Sequence, residues 1–151
     1  MPLRQLLTYA HENDAVTALA DAARDRGDAG PERAFVSASL RPYLLAALLD
    51  EDPARPALVV AGDDRAARDL AADLKAFLAP RLVRFYPARG VRYESHLAPP
   101  PHLVGLRVAA LEALSSGTSE EGAAVVVASA AALAEKVPDP ELRPQGFAIE
   151  K

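Results

Sequence analysis

Short apolar runs that alternate with amphipathic stretches are the main feature of this sequence. The runs lie at residues 34–37 (AFVS), 57–61 (ALVVA), 82–86 (LVRFY) and 124–128 (AVVVA). Continuous apolar runs of this length predict strands that are buried on both faces. After each run, apolar residues recur at a spacing of three or four, which predicts a helix. The pattern therefore predicts four strands, each followed by a helix.

Capping and stop signals give bounds for the predicted helices. An N-terminal helix is predicted over residues 14–26, where Gly27 provides a stop, and Pro42 favours the first turn of the next helix. Asp63 or Asp64 can cap a third helix that runs to residue 78. A fourth helix is predicted from residue 103 to about residue 117, and Ser129 can cap a short helix over residues 130–136.

Strands that alternate with helices are typical of an α/β domain with a mainly parallel sheet and helices on both faces, the doubly wound arrangement. We expect residues 1–30 to form an N-terminal helical segment that packs on the core, and residues 31–138 to form the α/β domain. Residues 138–144 read PDPELRP, and residues 147–151 (FAIEK) have the pattern of a strand. Residues 139–151 are therefore interpreted as a linker or as the start of a following, missing domain.

The amino-acid composition disfavours several classes of function for this protein. The chain has 151 residues, 50% of them apolar, with a formal net charge of −4 and no cysteine. An acidic balance disfavours independent binding to nucleic acid, and the lack of cysteine excludes thiolate zinc sites and disulfides. We find neither a secretory signal nor a run of about 18 apolar residues, so we expect a cytoplasmic protein without a membrane partner.

The loop after the first predicted strand occupies the position at which nucleotide-binding α/β proteins carry a phosphate loop. Such a loop has the pattern Gly-x-x-x-x-Gly-Lys-Ser/Thr, in which backbone N–H groups and the lysine contact the phosphates. Here the loop contains neither glycine nor lysine, and Pro42 removes a backbone donor. Its residues are Ser37, Ala38, Ser39, Leu40 and Arg41. We interpret this segment as a degenerate phosphate loop that binds no cofactor.

Asp63 and Asp64 follow the second predicted strand, where acidic side chains can hold magnesium in phosphate-loop enzymes. Without a phosphate loop, capping of the next helix explains them better. The three histidines, His11, His96 and His102, lack the spacing of a metal site, and no Gly-x-Ser-x-Gly elbow marks a catalytic serine. We therefore expect no metal and no catalytic residue.

One polar and aromatic cluster remains, in the loop between Pro87 and Pro101. Its members are Arg89, Arg92, Tyr93 and His96. A loop of this length can serve a function, so these residues are weak candidates for contact with a partner or with DNA. A solvent-facing loop anchored by Tyr93 is the simpler interpretation.

Several of these segments, in this order, resemble the N-terminal region of bacterial transcription-repair coupling factors. The similarity includes the degenerate loop of residues 35–48 (FVSASLRPYLLAAL), the strand end FYP at 85–87 and YESHLAP at 93–99. It continues with GLR at 105–107, ALEAL at 110–114 and VVVAS at 125–129. The chain departs from the family at Arg89 and Gly90, where Trp-Glu is common, so contacts of that pair are not expected here.

The resemblance implies a RecA-like domain similar to the first domain of the bacterial excision-repair helicase, without its ATP site. The parent of such a module uses ATP and magnesium to move on duplex DNA, and it couples removal of stalled RNA polymerase to nucleotide excision repair. The implied partners are the excision-repair protein that recognises DNA damage and the other domains of the parent, with RNA polymerase and DNA bound elsewhere in it. On this interpretation the present chain is a non-catalytic module.

A second hypothesis stays open at this point. The chain could be a self-contained small α/β enzyme or nucleotide-binding protein, with a site at the strand carboxyl ends around Arg41, Asp63 and Asp64.

Overall fold

The computed structural model describes residues 3–24, 31–91 and 96–137. The N-terminal segment has a 3₁₀ helix, Leu3–Glu12, followed by α1, Asp14–Arg24. A short 3₁₀ helix, Ala38–Leu40, precedes α2. The remaining helices are α2 (Arg41–Asp50), α3 (Asp64–Leu78), α4 (Pro101–Ser115) and α5 (Ala130–Ala134). The strands are β1 (Ala57–Ala61), β2 (Val83–Tyr86), β3 (Thr118–Ser119), β4 (Gly122–Ala123) and β5 (Val125–Ser129).

The fold is α/β, with a parallel three-stranded sheet in the order β1-β5-β2. β5 lies in the centre and pairs with β1 in the register Ala57↔Val125 and with β2 in the register Val83↔Val125. All five residues of β5 are buried, as expected for a central parallel strand. β3 and β4 form a separate antiparallel hairpin that the sequence pattern did not predict. Among the described residues, no helix is long and apolar enough to cross a membrane.

Helices pack on both faces of this sheet. On one face, α2 and α3 pack against the β5 side chains Val125 and Val127. On the other face, α4 and α5 pack against Val126 and Ala128. Alanine supplies much of this core, and the fully or almost fully buried alanines include Ala46, Ala47, Ala67, Ala110, Ala128 and Ala132. The small side chains allow the helices to lie close to the sheet.

The N-terminal segment packs on α2. Leu7 is buried in the same core cluster as α2 and α3, and the Tyr43 hydroxyl donates a hydrogen bond of 2.8 Å to the Leu6 carbonyl. Arg4 forms an ion pair with Asp50 at 2.7 Å. Arg24 also forms an ion pair with Glu51, next to the C-terminal end of α2. These contacts fix the N-terminal segment on α2, from its first turn to its C-terminal end.

Two of the predicted helix caps are confirmed. Asp63 precedes α3, and its carboxylate accepts a hydrogen bond of 2.8 Å from the Ala66 N–H. Ser129 precedes α5, and its hydroxyl oxygen accepts one of 3.1 Å from the Ala132 N–H. The end of α3 at Leu78 is confirmed as well. The last two predicted strands begin one residue later than expected, and α5 ends at Ala134, two residues earlier than predicted.

The predicted strand at residues 34–37 is wrong. These residues have no regular structure, and the Phe35 side chain is fully exposed. A four-residue strand forms only if a neighbouring strand binds its backbone, and no described strand pairs with this segment. The prediction that every strand is buried on both faces is also wrong for β1. Leu58 and Val60 are 54% and 52% exposed, because α4 and α5 cover β2 and β5 but do not extend over β1.

Candidate functional site

The carboxyl ends of the three parallel strands converge on the side chain of Asp64. Asp64 opens α3 just after β1, and its carboxylate accepts a hydrogen bond of 2.5 Å from the Ser129 hydroxyl at the end of β5. The Ala88 N–H, just beyond β2, donates to both carboxylate oxygens at 3.1 Å. One carboxylate therefore links the segments that follow all three strands.

Arg107 and Glu135 form the second half of this region. The Arg107 side chain is only 10% exposed and forms an ion pair of 2.7 Å with Glu135. Arg107 also donates a hydrogen bond of 2.8 Å to the Pro87 carbonyl and lies 4.3 Å from the centre of the Tyr86 ring. The Glu135 carboxylate accepts the Arg89 N–H at 3.0 and 3.2 Å. We refer to Asp64, Arg107, Ser129 and Glu135 as the strand-end cluster.

The side chains of the strand-end cluster form hydrogen bonds with the backbone of the segment that follows β2. Asp64 and Glu135 both accept hydrogen bonds from the segment of residues 88–89, and Arg107 donates to residue 87. A magnesium or phosphate site needs polar atoms that point at the ligand, whereas the charged members here point at each other and at the chain. The arrangement therefore fixes the start of the loop after β2, where α/β proteins often place their ligands.

The degenerate phosphate-loop position is exposed. Ser37, Ala38, Ser39, Leu40 and Arg41 are all solvent-exposed. Neither Ser37 nor Leu40 makes a side-chain capping bond to the helix that follows it, and Pro42 occupies the first turn of α2. Because no strand precedes this segment among the described residues, no rigid element holds its backbone N–H groups around an anion.

Arg41 lines an open groove of about 1060 Å³ together with the whole of β1 and Gly62. Asp64 does not line this groove. Of the three residues that the enzyme hypothesis combined, Arg41 lines the groove, whereas the Asp64 carboxylate is bound by Ala88 and Ser129. Asp63 is engaged as the α3 cap, and the described part of the chain contains no group of three residues that could hold a metal ion.

The predicted cluster in the loop after β2 is described only in part. Arg92 and Tyr93 lie outside the described residues. Arg89 is half-buried, and its backbone is bound by Glu135, whereas His96 is exposed. A role for these four residues in binding a partner or DNA stays a prediction.

Arg81 is a buried cation that sequence reasoning missed. It follows the C-terminal end of α3, is 3% exposed and donates hydrogen bonds to three backbone carbonyls. These are Ala123 at 2.8 Å, Arg55 at 2.7 Å and Leu49, which is bound by a short contact. Burial lowers the pKa of Arg81 below its ordinary value, while the nearby carboxylates of Asp50 and Asp52 act in the opposite direction.

Sequence reasoning also missed Arg107 and Glu135. The GLR motif at residues 105–107 belongs to the resemblance described above and was the available signal for Arg107. For Glu135 no local signal exists, since its partners Arg89 and Arg107 lie 46 and 28 residues away along the chain.

The chain was compared with protein-family models, curated proteins and solved structures, and none of the three comparisons gives a match.

We expect Asp64→Asn to lower the free energy of unfolding by about 1–3 kcal/mol, because an amide accepts the Ala88 N–H and the Ser129 hydroxyl less strongly than a carboxylate. Urea denaturation followed by circular dichroism measures this loss. Asp69→Asn, at an exposed position of the same helix, is the matched control and should change stability by less than about 0.5 kcal/mol. Equal effects of the two substitutions would contradict a linking role for Asp64.

Proposed function

We propose that this chain is a non-catalytic module of a transcription-coupled DNA-repair translocase, whose ATP-driven motor lies outside these residues. The proposal rests on the resemblance to transcription-repair coupling factors. The strand-end cluster is the observation that supports the proposal that this module is non-catalytic. The carboxylates of Asp64 and Glu135 accept hydrogen bonds from backbone N–H groups. They lie at the carboxyl end of the strands, where the nucleotide site of an α/β protein is expected.

The finer fold assignment, a RecA-like doubly wound domain, belongs to the same proposal. Three observations support it: the sheet strands β1, β2 and β5 are parallel, helices lie in the connections between them, and the helices lie on both faces of the sheet. The strand that would precede the degenerate phosphate loop in such a domain is absent from the described sheet. This part of the proposal therefore rests on β1, β2 and β5 with the helices that connect them.

The proposed role is architectural and involves protein contacts. In the parent, the module packs against the other domains and helps to recruit the excision-repair protein that recognises DNA damage. RNA polymerase and duplex DNA are bound by other parts of the parent. The acidic net charge of −4 agrees with a module that does not bind DNA by itself. The parent is proposed to work in the cytoplasm.

The expected result of an ATP titration on the purified chain is no saturable binding, with or without magnesium. The physical reason is that residues 37–41 offer neither the lysine nor the glycine backbone that holds phosphates. Isothermal titration calorimetry up to millimolar ATP measures this. A matched variant, Arg41→Ala, should give the same flat titration.

Saturable, magnesium-dependent binding that is lost in Arg41→Ala would contradict the proposal. It would favour the second hypothesis, a nucleotide-binding α/β protein. One observation favours that hypothesis: Arg41 and Gly62 line the same groove at the carboxyl end of β1.

A further inference from the structure

The two helices of the N-terminal segment are attached to the rest of the chain in different ways. The 3₁₀ helix buries Leu7 and Ala10, whereas α1 buries only Ala20 among its 11 residues. Val16 of α1 packs against the core but is only partly buried. Segments with few buried apolar contacts open locally at a lower free energy than the core does. α1 is therefore the more weakly attached of the two helices.

Polar contacts hold the C-terminal end of α1 in place. The Arg24 guanidinium forms an ion pair with Glu51, which follows α2. The Ala23 carbonyl accepts a hydrogen bond of 2.9 Å from the Arg55 side chain. The Arg24 side chain is 51% exposed, and ion pairs of exposed side chains contribute little to stability. These contacts close the end of α1 without making it part of the core.

Glu51 is the common partner of two cationic side chains. Its Oε2 atom contacts Arg24, and its Oε1 atom lies 2.7 Å from the His11 Nδ1 atom. Loss of the Glu51 charge weakens both contacts, whereas loss of Arg24 removes only one. We refer to His11, Arg24 and Glu51 as the Glu51 cluster, which joins α1 and the 3₁₀ helix to the end of α2.

α1 covers an apolar face of α2. Ala20 and Ala23 of α1 line the open groove of about 1060 Å³ beside β1, and Leu19 lines a second hollow of about 510 Å³. Leu45 and Leu48 of α2 line both hollows. Departure of α1 removes a wall from each hollow and uncovers these two leucines.

The sequence of α2 agrees with a helix that is covered on this face as well. It reads RPYLLAALLD, with apolar residues on every side. A helix that is apolar all round is typical of one surrounded by protein. α1, α3 and the 3₁₀ helix all contact α2. Exposure of apolar surface to water is unfavourable, so the covered state is the major one.

We propose that α1 is a movable cover of α2, which opens independently of the rest of the fold and is held closed by the Glu51 cluster. In the open state, the apolar face with Leu45 and Leu48 is exposed. The 3₁₀ helix stays on the core through Leu7 and Ala10. The strength of the Glu51 cluster sets the population of the open state and thereby regulates the exposure of this face.

Hydrogen exchange by NMR tests whether α1 opens by itself. We expect protection factors for the amides of residues 18–22 at least about a hundredfold lower than those of Leu74 and Leu78, which are buried in α3. Low urea concentrations should also accelerate the α1 amides less than the α3 amides, because a local opening exposes less surface than global unfolding. Equal protection and equal urea dependence in the two helices would overturn the proposal, since α1 would then unfold only with the whole chain.

A pair of matched variants tests the role of Glu51. Glu51→Gln should accelerate exchange of the α1 amides about tenfold, because the amide binds Arg24 and His11 less strongly than the carboxylate. Glu12→Gln, at an exposed position of the 3₁₀ helix, is the control and should leave them unchanged. If both variants change the α1 amides equally, Glu51 does not hold the cover closed.

A thiol probe gives a second measurement of the opening. The chain has no cysteine, so Ala20→Cys introduces a single thiol at a position that is 3% exposed. The reaction of this thiol with 5,5′-dithiobis(2-nitrobenzoate) should be about tenfold faster when Glu51→Gln is added, and it should not change when Glu12→Gln is added. The same rate in all three proteins would contradict the proposal.

Discussion

Replacing Arg81 by methionine should lower the free energy of unfolding by about 3–5 kcal/mol. The guanidinium donates to the carbonyls of Leu49, Arg55 and Ala123, and all three lose a partner when an apolar side chain takes its place. These carbonyls belong to the end of α2, the approach to β1 and the hairpin strand β4. One side chain therefore joins three segments that are distant along the chain.

Urea denaturation followed by far-ultraviolet circular dichroism measures this effect. Arg84→Met, at an exposed position of β2, is the matched control and should change the free energy of unfolding by less than about 0.5 kcal/mol. Arg81→Lys keeps the charge but loses the planar fork, so we expect it to be intermediate between Arg81→Met and the unchanged protein. If Arg81→Lys is as stable as the unchanged protein, the three carbonyls do not require the geometry of the guanidinium.

The second large effect is expected at the Arg107–Glu135 pair. Arg107→Met should lower the free energy of unfolding by about 3 kcal/mol, since it leaves a mostly buried carboxylate without its cation and the Pro87 carbonyl without its donor. Glu135→Gln should cost less, because the amide oxygen can still accept the Arg89 N–H. Denaturation of the two single variants and the double variant forms a double-mutant cycle, for which we expect a coupling of about 1–3 kcal/mol.

Hydrogen exchange adds a local measurement to this cycle. In Arg107→Met, the Ala88 and Arg89 amides should exchange faster, because the segment after β2 loses one of its anchors. Glu112→Gln, at an exposed position of α4, is the control and should leave these amides unchanged. Additive effects in the cycle, with unchanged exchange at Ala88, would show that the pair does not hold this loop.

Sequence patterns predicted the elements that local signals determine. α3 has an aspartate cap, an amphipathic repeat and a defined end, and all three are found in the structure. The continuous apolar run of β5 also predicted its buried position. By contrast, the AFVS run at residues 34–37 has the composition of a strand but no pairing partner among the described strands, and pairing depends on distant segments that composition does not show.

The strand-end cluster could be predicted only in part. The pattern indicated Ser129 as a cap, because capping acts over three residues. It left the cap of α3 open between Asp63, which is the cap in the structure, and Asp64. Asp64 was considered a cap or a magnesium ligand, but its partners Ala88 and Ser129 lie 24 and 65 residues away. Arg81 and Arg107 look like ordinary surface cations in the sequence. Their burial follows from the packing of several elements around them, which no local pattern encodes.

The alanine-rich core has a consequence for the response of this protein to temperature. A buried alanine exposes little apolar surface on unfolding, and the apolar surface exposed determines most of the heat-capacity change. We therefore expect a heat-capacity change per residue below the usual value of about 12–15 cal/mol/K. The stability curve should then be broad and flat, so that the folded state persists over a wide range of temperatures.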